Sequence, residues 1–440
     1  MSAHAAAADA VKAPPPPRRF ELTGAWLLSG AMLTAGVLAY AFHILAAQTL
    51  TQNQYGEIAV LWAALFLTVV VLFRPLEQTT SRTVADRLAR GQEARSVLRS
   101  VALVYACVLF LVGVAAAAFW GELTDTFFDG NSFLTAMLVV GIAGYGIQYI
   151  GRGILGGLRR FRGLSAIHVT DGTVRFLFAL PLLAVASPDI AALALAAAGI
   201  GGAIPPLWRT REEIRHLSVG AADEDFHIRA ALGFAAPAVV IAAADQLLVN
   251  GAPLVVVGSG GSQRAAANVF AATMLVRVPV FLFTGVAGSF LPNLTRLNAE
   301  DDHHRFVATV IRVCAVFLGA TVAIVVIAAL LGPPVMPIVF GSDYHASARE
   351  LALLGLAAGC YLAAATISQA LLAVKRGSSA AVAWALGAIL FVCTYHFVTG
   401  LPLFRASVGI AAGMVTATVL LVLIFAWRVH VARRERAADG

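Results

Sequence analysis

The sequence predicts an all-α polytopic membrane protein whose twelve transmembrane helices form two six-helix lobes. Of its 440 residues, 60% are hydrophobic and only 12% are charged, and the mean hydropathy is +0.83. Soluble domains carry about 25% charged residues, roughly twice this share. Apolar runs of about 20 residues, long enough to cross a bilayer core of about 30 Å, recur along the chain. The composition therefore excludes an ordinary soluble domain.

The first residues, 1–20, are rich in Ala and Pro, and we predict a disordered cytoplasmic tail there. The apolar run that follows is longer than the roughly 7–15 residues of a signal-peptide core, so we expect an uncleaved first helix. The predicted spans are 24–48, 56–80, 98–119, 133–155, 164–186, 190–208, 230–254, 264–290, 306–331, 348–374, 379–398 and 407–428.

Lys and Arg residues are concentrated in alternate segments between the predicted spans, and the other segments hold only Arg264, Arg349 and Arg405. Because cytoplasmic loops carry an excess of Lys and Arg, we expect both termini in the cytoplasm. The net charge of +7 is therefore explained by the basic cytoplasmic segments, and we expect no nucleic-acid partner. The outside loops 121–131 and 332–347 are short, which disfavours a receptor with a large external domain.

The segment 209–228 is the most polar stretch between helices and divides the predicted spans six and six. We therefore predict an N-lobe at 21–208, a cytoplasmic linker at 209–228, a C-lobe at 229–428 and a basic cytoplasmic tail at 429–440. Such halving is typical of transporters built from repeats.

Helix 2 carries an unusual group of residues for a membrane span. Arg74 and Glu77 stand three residues apart and share one helix face. Pro75 between them removes a backbone donor and frees the carbonyl of Val71. Charges beside a broken hydrogen-bond ladder are tolerated only against protein or a wet cavity. Two interpretations follow: the pair lines a central cavity, or it is a structural ion pair.

Further ionisable residues lie inside the predicted spans. Asp171 and Arg175 have the i, i+4 spacing of a structural ion pair within one helix. Asp245 lies sixteen residues beyond Arg229, about 24 Å along a helix, so it needs a cavity or a partner. Arg277 on the next span is the candidate partner, and we expect both residues to bind substrate or an ion. Weaker cavity candidates are the polar residues Asn250, Gln78 and His43, because lone polar residues often only bridge helices.

The sequence contains no catalytic constellation, so we expect a protein that is not an enzyme. It has no Walker A motif, which argues against ATP binding. It has no His and carboxylate cluster with metal-ligand spacing, and no cofactor is expected. We interpret the four cysteines as small core hydrophobes, because each stands alone in an apolar helix: Cys107, Cys314, Cys360 and Cys393.

Several stretches together resemble a known group of membrane proteins. They are 53–57 (NQYGE), 73–78 (FRPLEQ) with 81–82 (SR), 244–250 (ADQLLVN), 277–279 (RVP) and 289–294 (SFLPNL). In this combination the chain resembles the bacterial polysaccharide and oligosaccharide flippases of the multidrug/oligosaccharidyl-lipid/polysaccharide exporter (MOP) superfamily, which includes the MATE transporters. The resemblance covers roughly residues 24–430.

The resemblance implies two MATE-like lobes around a V-shaped cavity lined by helices 1, 2, 7 and 8. It also implies alternating access and the transfer of polyprenyl-pyrophosphate-linked oligosaccharides to the outer leaflet of the bacterial cytoplasmic membrane. In this scheme Arg74 and Arg277 bind the pyrophosphate. Glu77 and Asp245 pair with these arginines in the empty site or carry a coupling proton or sodium ion. Glycosyltransferases and a polymerase of the same pathway are candidate partners.

Two alternatives remain open. One is cation-coupled multidrug efflux, with Asp245 neutralising a cationic drug. Helix 1 carries no acidic residue, which weakens this alternative. The other is a non-transporting scaffold of a polysaccharide synthesis complex, in which the buried charges are only structural.

Overall fold

The computed structural model of the chain describes residues 19–92, 94–216, 228–287, 303–373 and 376–439. These residues are almost entirely α-helical. The helices are α1 (Arg19–Thr49), α2 (Gln52–Ala89), α3 (Arg95–Ala118), α4 (Trp120–Phe127), α5 (Ser132–Gly157), α6 (Phe161–Ala179), α7 (Pro188–Arg209), α8 (Arg211–His216), α9 (Ile228–Asn250), α10 (Ala252–Gly258), α11 (Gln263–Ala287), α12 (His303–Phe340), α13 (Ala348–Ala373), α14 (Gly377–Phe397) and α15 (Pro402–Asp439).

Within these ranges, ten helices are long and apolar enough to cross a membrane. An eleventh span results if α9 and α10, which meet at an angle of 76°, form one broken span. The remaining predicted span, 264–290, falls on α11, but its last residues lie outside the described residues. The chain is thus a multi-pass membrane protein. The count of twelve spans stays a prediction, as do the lobe and linker boundaries, the tail at 1–20 and the side of the membrane on which the termini lie.

Three predicted boundaries are wrong. The loop 121–131 contains most of helix α4. The predicted span 306–331 and loop 332–347 miss the continuation of α12 to Phe340, through three prolines that do not end the helix. The predicted span 230–254 is interrupted at Gly251, where the chain turns sharply between α9 and α10.

Local sequence explains where the helices near the α1–α2 turn begin. The Thr51 side chain accepts a hydrogen bond from the backbone N–H of Gln54, and the Gln54 side chain accepts one from the backbone N–H of Thr51. This reciprocal capping satisfies two of the free donors at the start of α2. Asn131 caps α5 in a similar way, and its side chain also donates to Asp189 at the start of α7, at 2.9 Å. These caps fix the directions in which α2, α5 and α7 enter the bundle.

The helices pack as two bundles. In the N-terminal bundle, α5 packs against α2 and α7, and α6 packs against α1 and α7. In the C-terminal bundle, α13 packs against α12 and α15, and α14 packs against α15 and α9. Helix α2 also contacts α9 and α11, so it joins the two bundles. Small residues allow close approach within each bundle, as at Gly144 against Gly199 and at Gly387 against Gly413.

The two bundles meet along a seam that we define by Gln48, Gln52, Gly56 and Phe127 on the N-terminal side and by Val339, Asp343 and Gln263 on the C-terminal side. Gln48 donates to the carbonyl of Val339 at 2.9 Å, and Gln52 donates to that of Asp343 at 3.3 Å. Gln263 donates in the opposite direction, to the carbonyl of Phe127 at 2.9 Å. Gly56 lies directly against the backbone of Gln263. The seam closes one end of the molecule.

Candidate functional site

A cavity of about 260 Å³ lies between the two bundles, deeper in the molecule than the seam. Its walls come from α1, α2, α9, α11, α13 and α15. Most lining residues are apolar, including Trp62 and Phe66 of α2. The polar lining residues are Tyr40, Asn250, Thr273, Arg277 and Tyr361. An apolar pocket with a few convergent polar groups is the usual form of a small-molecule site.

Arg277 reaches this cavity from α11 and begins a chain of hydrogen bonds along α9. Its Nη1 donates to Oδ1 of Asn250 at 2.9 Å, and Asn250 Nδ2 donates to Oε1 of Gln246 at 2.7 Å. Gln246 Nε2 in turn donates to Oδ2 of Asp245 at 3.0 Å. Arg277 and Asp245 are therefore connected through two neutral amides.

Asp245 is 7% exposed and has mainly neutral hydrogen-bond partners. Besides Gln246, the hydroxyl of Tyr361 on α13 interacts electrostatically with its carboxylate. The positive charges that act on it are those of Arg74 on α2 and Arg277 on α11. Charges from both bundles thus converge on the same carboxylate.

Arg74 presents an exposed side chain next to this group. Within the part of the chain that the structure describes, it forms neither a hydrogen bond nor an ion pair. Gln78, one turn further along α2, is also exposed. The exposed face of α2 therefore offers a guanidinium and an amide that are open to a ligand.

Glu77 is bound elsewhere. Its carboxylate forms a two-bonded ion pair with Arg152 of α5, with Nε–Oε1 and Nη2–Oε2 distances of 3.1 Å each. The Arg152 guanidinium also lies 4.3 Å from the ring centroid of Tyr149. The expected pairing of Glu77 with Arg74 is thus wrong, because α5 supplies a guanidinium with better fork geometry.

A second polar cluster is buried inside the N-terminal bundle. Arg175 forms an ion pair with Asp171 at 2.6 Å, as their spacing allows, and also donates to the hydroxyl of Tyr145 at 2.7 Å. Tyr145 and Gln148 both donate to the other carboxylate oxygen of Asp171. The two charges are paired within this cluster, which fits a structural role.

The guanidinium of Arg175 also supports one wall of the cavity. It lies 5.2 Å from the ring centroid of Trp62 and 6.0 Å from that of Phe66, both cavity-lining residues. Cation–π contacts of this kind fix the orientation of aromatic side chains.

His43 is fully buried near the seam and does not line the cavity. Aromatic rings surround it, with Trp62 at 4.4 Å, Phe270 at 4.9 Å and Phe42 at 5.0 Å between centroids. Its Nδ1 lies 3.5 Å from the Tyr55 hydroxyl, and its Nε2 has no hydrogen-bond partner. The residue belongs to the packing between the bundles rather than to the polar site.

The structure therefore brings Arg74, Asp245, Asn250 and Arg277 to one place and leaves Glu77 and His43 in other contacts. Sequence reasoning missed Gln246, which connects Asp245 to Asn250, and Tyr361, which interacts with Asp245. It also missed Arg152, which holds Glu77 in the N-terminal bundle. The helical spacing of Gln246 and Asn250 was the available signal, since residues four apart share a face. Among the described residues, no cluster of His, Cys, Asp and Glu has the composition of a metal site.

No protein-family model matches the chain. The chain is 25% identical over 352 residues to uncharacterized protein Rv3630 of Mycobacterium tuberculosis, a match that covers 76% of this chain and 78% of the relative. It is 24% identical to uncharacterized protein Mb3654 of Mycobacterium bovis over the same shares of both chains.

Solved structures define the class of fold. An inward-facing conformation of a multidrug resistance MATE family transporter of the MOP superfamily matches with a TM-score of 0.72 at 14% identity, over 91% of this chain and 96% of that chain. An outward-facing conformation of such a transporter matches with a TM-score of 0.68 at 14% identity, over 93% and 96%. The chain therefore has the fold of the MATE transporters.

Proposed function

We propose that this chain is a flippase that moves a polyprenyl-pyrophosphate-linked oligosaccharide across the bacterial cytoplasmic membrane by alternating access. In this proposal both termini are cytoplasmic and the seam closes the outer end. Glycosyltransferases and a polymerase of the same pathway act before and after the transport step.

One observation carries the substrate assignment. Arg277 lines the cavity, and its direct partner there is the neutral amide of Asn250 rather than a carboxylate. A guanidinium has five N–H donors in a rigid fork that matches the oxygens of a phosphate. Among the residues that the structure describes, only Asn250 takes up one of these donors, so the others are open to a ligand, and Arg74 adds a second, exposed guanidinium. Two such groups suit the two negative charges of a pyrophosphate diester.

The same charges argue against a cationic drug. A cation in the cavity meets Arg277 in its wall, and Arg74 adds positive charge near Asp245. The carboxylate that would attract it, Asp245, already accepts a hydrogen bond from Gln246 and lies in the field of both arginines. An anionic ligand is therefore favoured over a cationic one.

The test is transport by the purified full chain in liposomes, using a fluorescent polyprenyl-pyrophosphate-linked sugar. We expect flipping by the wild type. Arg277→Ala should reduce it about 10- to 100-fold, because hydrogen bonds to charged groups contribute about 1.5–3 kcal/mol. Arg74→Ala should also reduce flipping. Arg349→Ala is the matched control, since this arginine is exposed and lies over the ring of Phe404, away from the cavity.

Unchanged flipping in both cavity variants contradicts the proposed anion site. Absence of flipping by the wild type, together with export of a cationic drug that Arg277→Ala leaves intact, favours drug efflux instead.

A further inference from the structure

The hydrogen-bond chain from Arg277 to Asp245 has a fixed direction. A guanidinium has donors but no acceptor, so Asn250 must present its oxygen to Arg277. Its amide nitrogen is then left to donate to Gln246, whose own nitrogen is left to donate to Asp245. Because Arg277 decides the orientation of both amides, the chain needs an acceptor at its far end. Asp245 is that acceptor.

Asp245 also differs from the other carboxylates near the cavity. Glu77 is held by the fork of Arg152, and Asp171 is held by Arg175. The groups that face Asp245 are the guanidinium groups of Arg74 and Arg277, the hydroxyl of Tyr361 and the amide of Gln246. Both arginines attract the carboxylate of Asp245 electrostatically, but among the described residues neither forms an ion pair with it. Its charge is therefore balanced by the two arginines that the proposed function assigns to the substrate.

We propose that Gln246 and Asn250 are positioning residues that link the charge of Asp245 to anion binding at Arg277, so that the site takes up a proton when the anion binds. The inference rests on the proposed function and specifies its coupling ion and coupling residue.

The reason is competition for the same positive charges. With the site empty, ionised Asp245 balances Arg74 and Arg277. A bound pyrophosphate adds two negative charges beside that carboxylate in a largely apolar cavity. A proton taken from water onto a carboxylate oxygen of Asp245 removes one of the opposing charges. By linkage, the anion then binds more tightly as the pH falls.

The amides of Gln246 and Asn250 connect Asp245 to Arg277 in a fixed geometry. Gln246 stabilises the ionised form of Asp245 and holds Asn250, which in turn holds Arg277 against the cavity. They also keep Arg277 separate from Asp245, so the guanidinium keeps donors for a ligand.

The test is calorimetric titration of the purified full chain with symmetrical dimethyl pyrophosphate. Each phosphate of this diester carries one negative charge throughout the range from mildly acidic to mildly alkaline pH. Titrations in two buffers of different ionisation enthalpy give the number of protons taken up. We expect the wild type to take up protons and to bind more weakly as the pH rises. Asp245→Asn should bind without proton uptake and with an affinity that does not depend on pH.

Two variants separate coupling from a merely structural role. Gln246→Met keeps the length of the side chain but removes a donor to ionised Asp245, so the midpoint of the pH dependence should move to higher pH. A substitution that only loosens the fold lowers the affinity by the same factor at every pH. Glu77→Gln should keep the proton uptake, because Arg152 already holds that carboxylate.

The outcomes distinguish the two proposals. If the diester does not bind, or binds equally to Arg277→Ala, the proposed anion site and this inference both fail. If binding needs Arg277 but the wild type and Asp245→Asn take up equal numbers of protons, this inference alone is overturned.

Discussion

Glu77 and Arg152 join α2 to α5 through a hydrogen bond from Nε to Oε1 and an ion-pair contact between Nη2 and Oε2, each at 3.1 Å. The pair neutralises Glu77, the only acidic residue in the first turn after Arg74, and ties it to the N-terminal bundle. Arg74 therefore keeps its charge for the space between the bundles. A structural contact in one bundle thus leaves Arg74, within the described ranges of the chain, without a carboxylate partner in the proposed site.

Removal of Arg152 should destabilise the protein. Arg152→Met leaves Glu77 as a partly buried charge without its partner, and breaking such a pair costs up to about 3–5 kcal/mol when both groups are buried. Each side chain here is 20% exposed, so we expect a smaller loss. The measurement is the thermal unfolding midpoint in detergent. The double variant Glu77→Gln with Arg152→Met should recover part of the loss, and no recovery would contradict an ion-pair origin.

A side chain at position 56 should open the seam. A Cβ on Gly56 meets the backbone carbonyl of Gln263, which has no flexible atom to give way. Gly56→Ala should therefore shift the population away from the closed seam. The measurement is thiol crosslinking between Gln52→Cys and Asp343→Cys, in a background without the four native cysteines.

Gly113→Ala is the matched control for this experiment, because a Cβ there meets nothing within 4 Å. We expect crosslinking to fall in Gly56→Ala and to stay at the parent level in Gly113→Ala. Equal crosslinking in both variants would show that the seam accommodates the added methyl group and stays closed.

Replacement of His43 by Phe should preserve folding. The buried Nε2 of His43 has no partner, and such a group costs about 1–3 kcal/mol. A Phe ring fits among the surrounding aromatic rings and carries no polar atom. We expect an equal or higher unfolding midpoint for His43→Phe, and transport at the wild-type level. Loss of transport in a stable variant would return His43 to the candidate site residues.

The Arg277→Lys variant should retain only part of the wild-type transport activity. Arg277→Lys keeps the positive charge near Asp245 but loses the planar fork and the fixed bond to Asn250. We expect flipping between that of the wild type and that of Arg277→Ala, with an affinity loss for dimethyl pyrophosphate that salt increases. Wild-type behaviour would indicate that charge alone is enough at this position.

The predictions from the sequence were most accurate for features that depend on a single helix, such as its bounds. The predicted spans 133–155 and 190–208 lie within a few residues of α5 and α7, because hydropathy and capping residues act locally. Sequence reasoning failed along α12, because proline is tolerated in membrane helices when tertiary packing supports it. It failed at Gly251 for the opposite reason, since the helix breaks there and a new helix begins with Pro253 in its first turn.

The site was only partly predictable for the same reason. Charged residues inside apolar spans are visible in a sequence, and Asp245 and Arg277 were found in this way. Their connection runs through Asn250 and Gln246, and Gln246 is a neutral residue that carries no such signal. Arg152 lies near the end of α5 and decides which bundle holds Glu77. Pairing between helices is a tertiary property that spacing along one helix cannot supply.

The acceptors between the bundles share one chemical character. Gln48, Gln52 and Gln263 at the seam, and Tyr40 deeper in the molecule, all donate from a side chain to a main-chain carbonyl. Every residue has such a carbonyl, so evolution is free to change the receiving side chains without losing the bonds. Each bond also exchanges readily for one to water when the bundles part. These hydrogen bonds can therefore break and re-form as the bundles separate and close. The specificity of the contact comes from these four donor side chains.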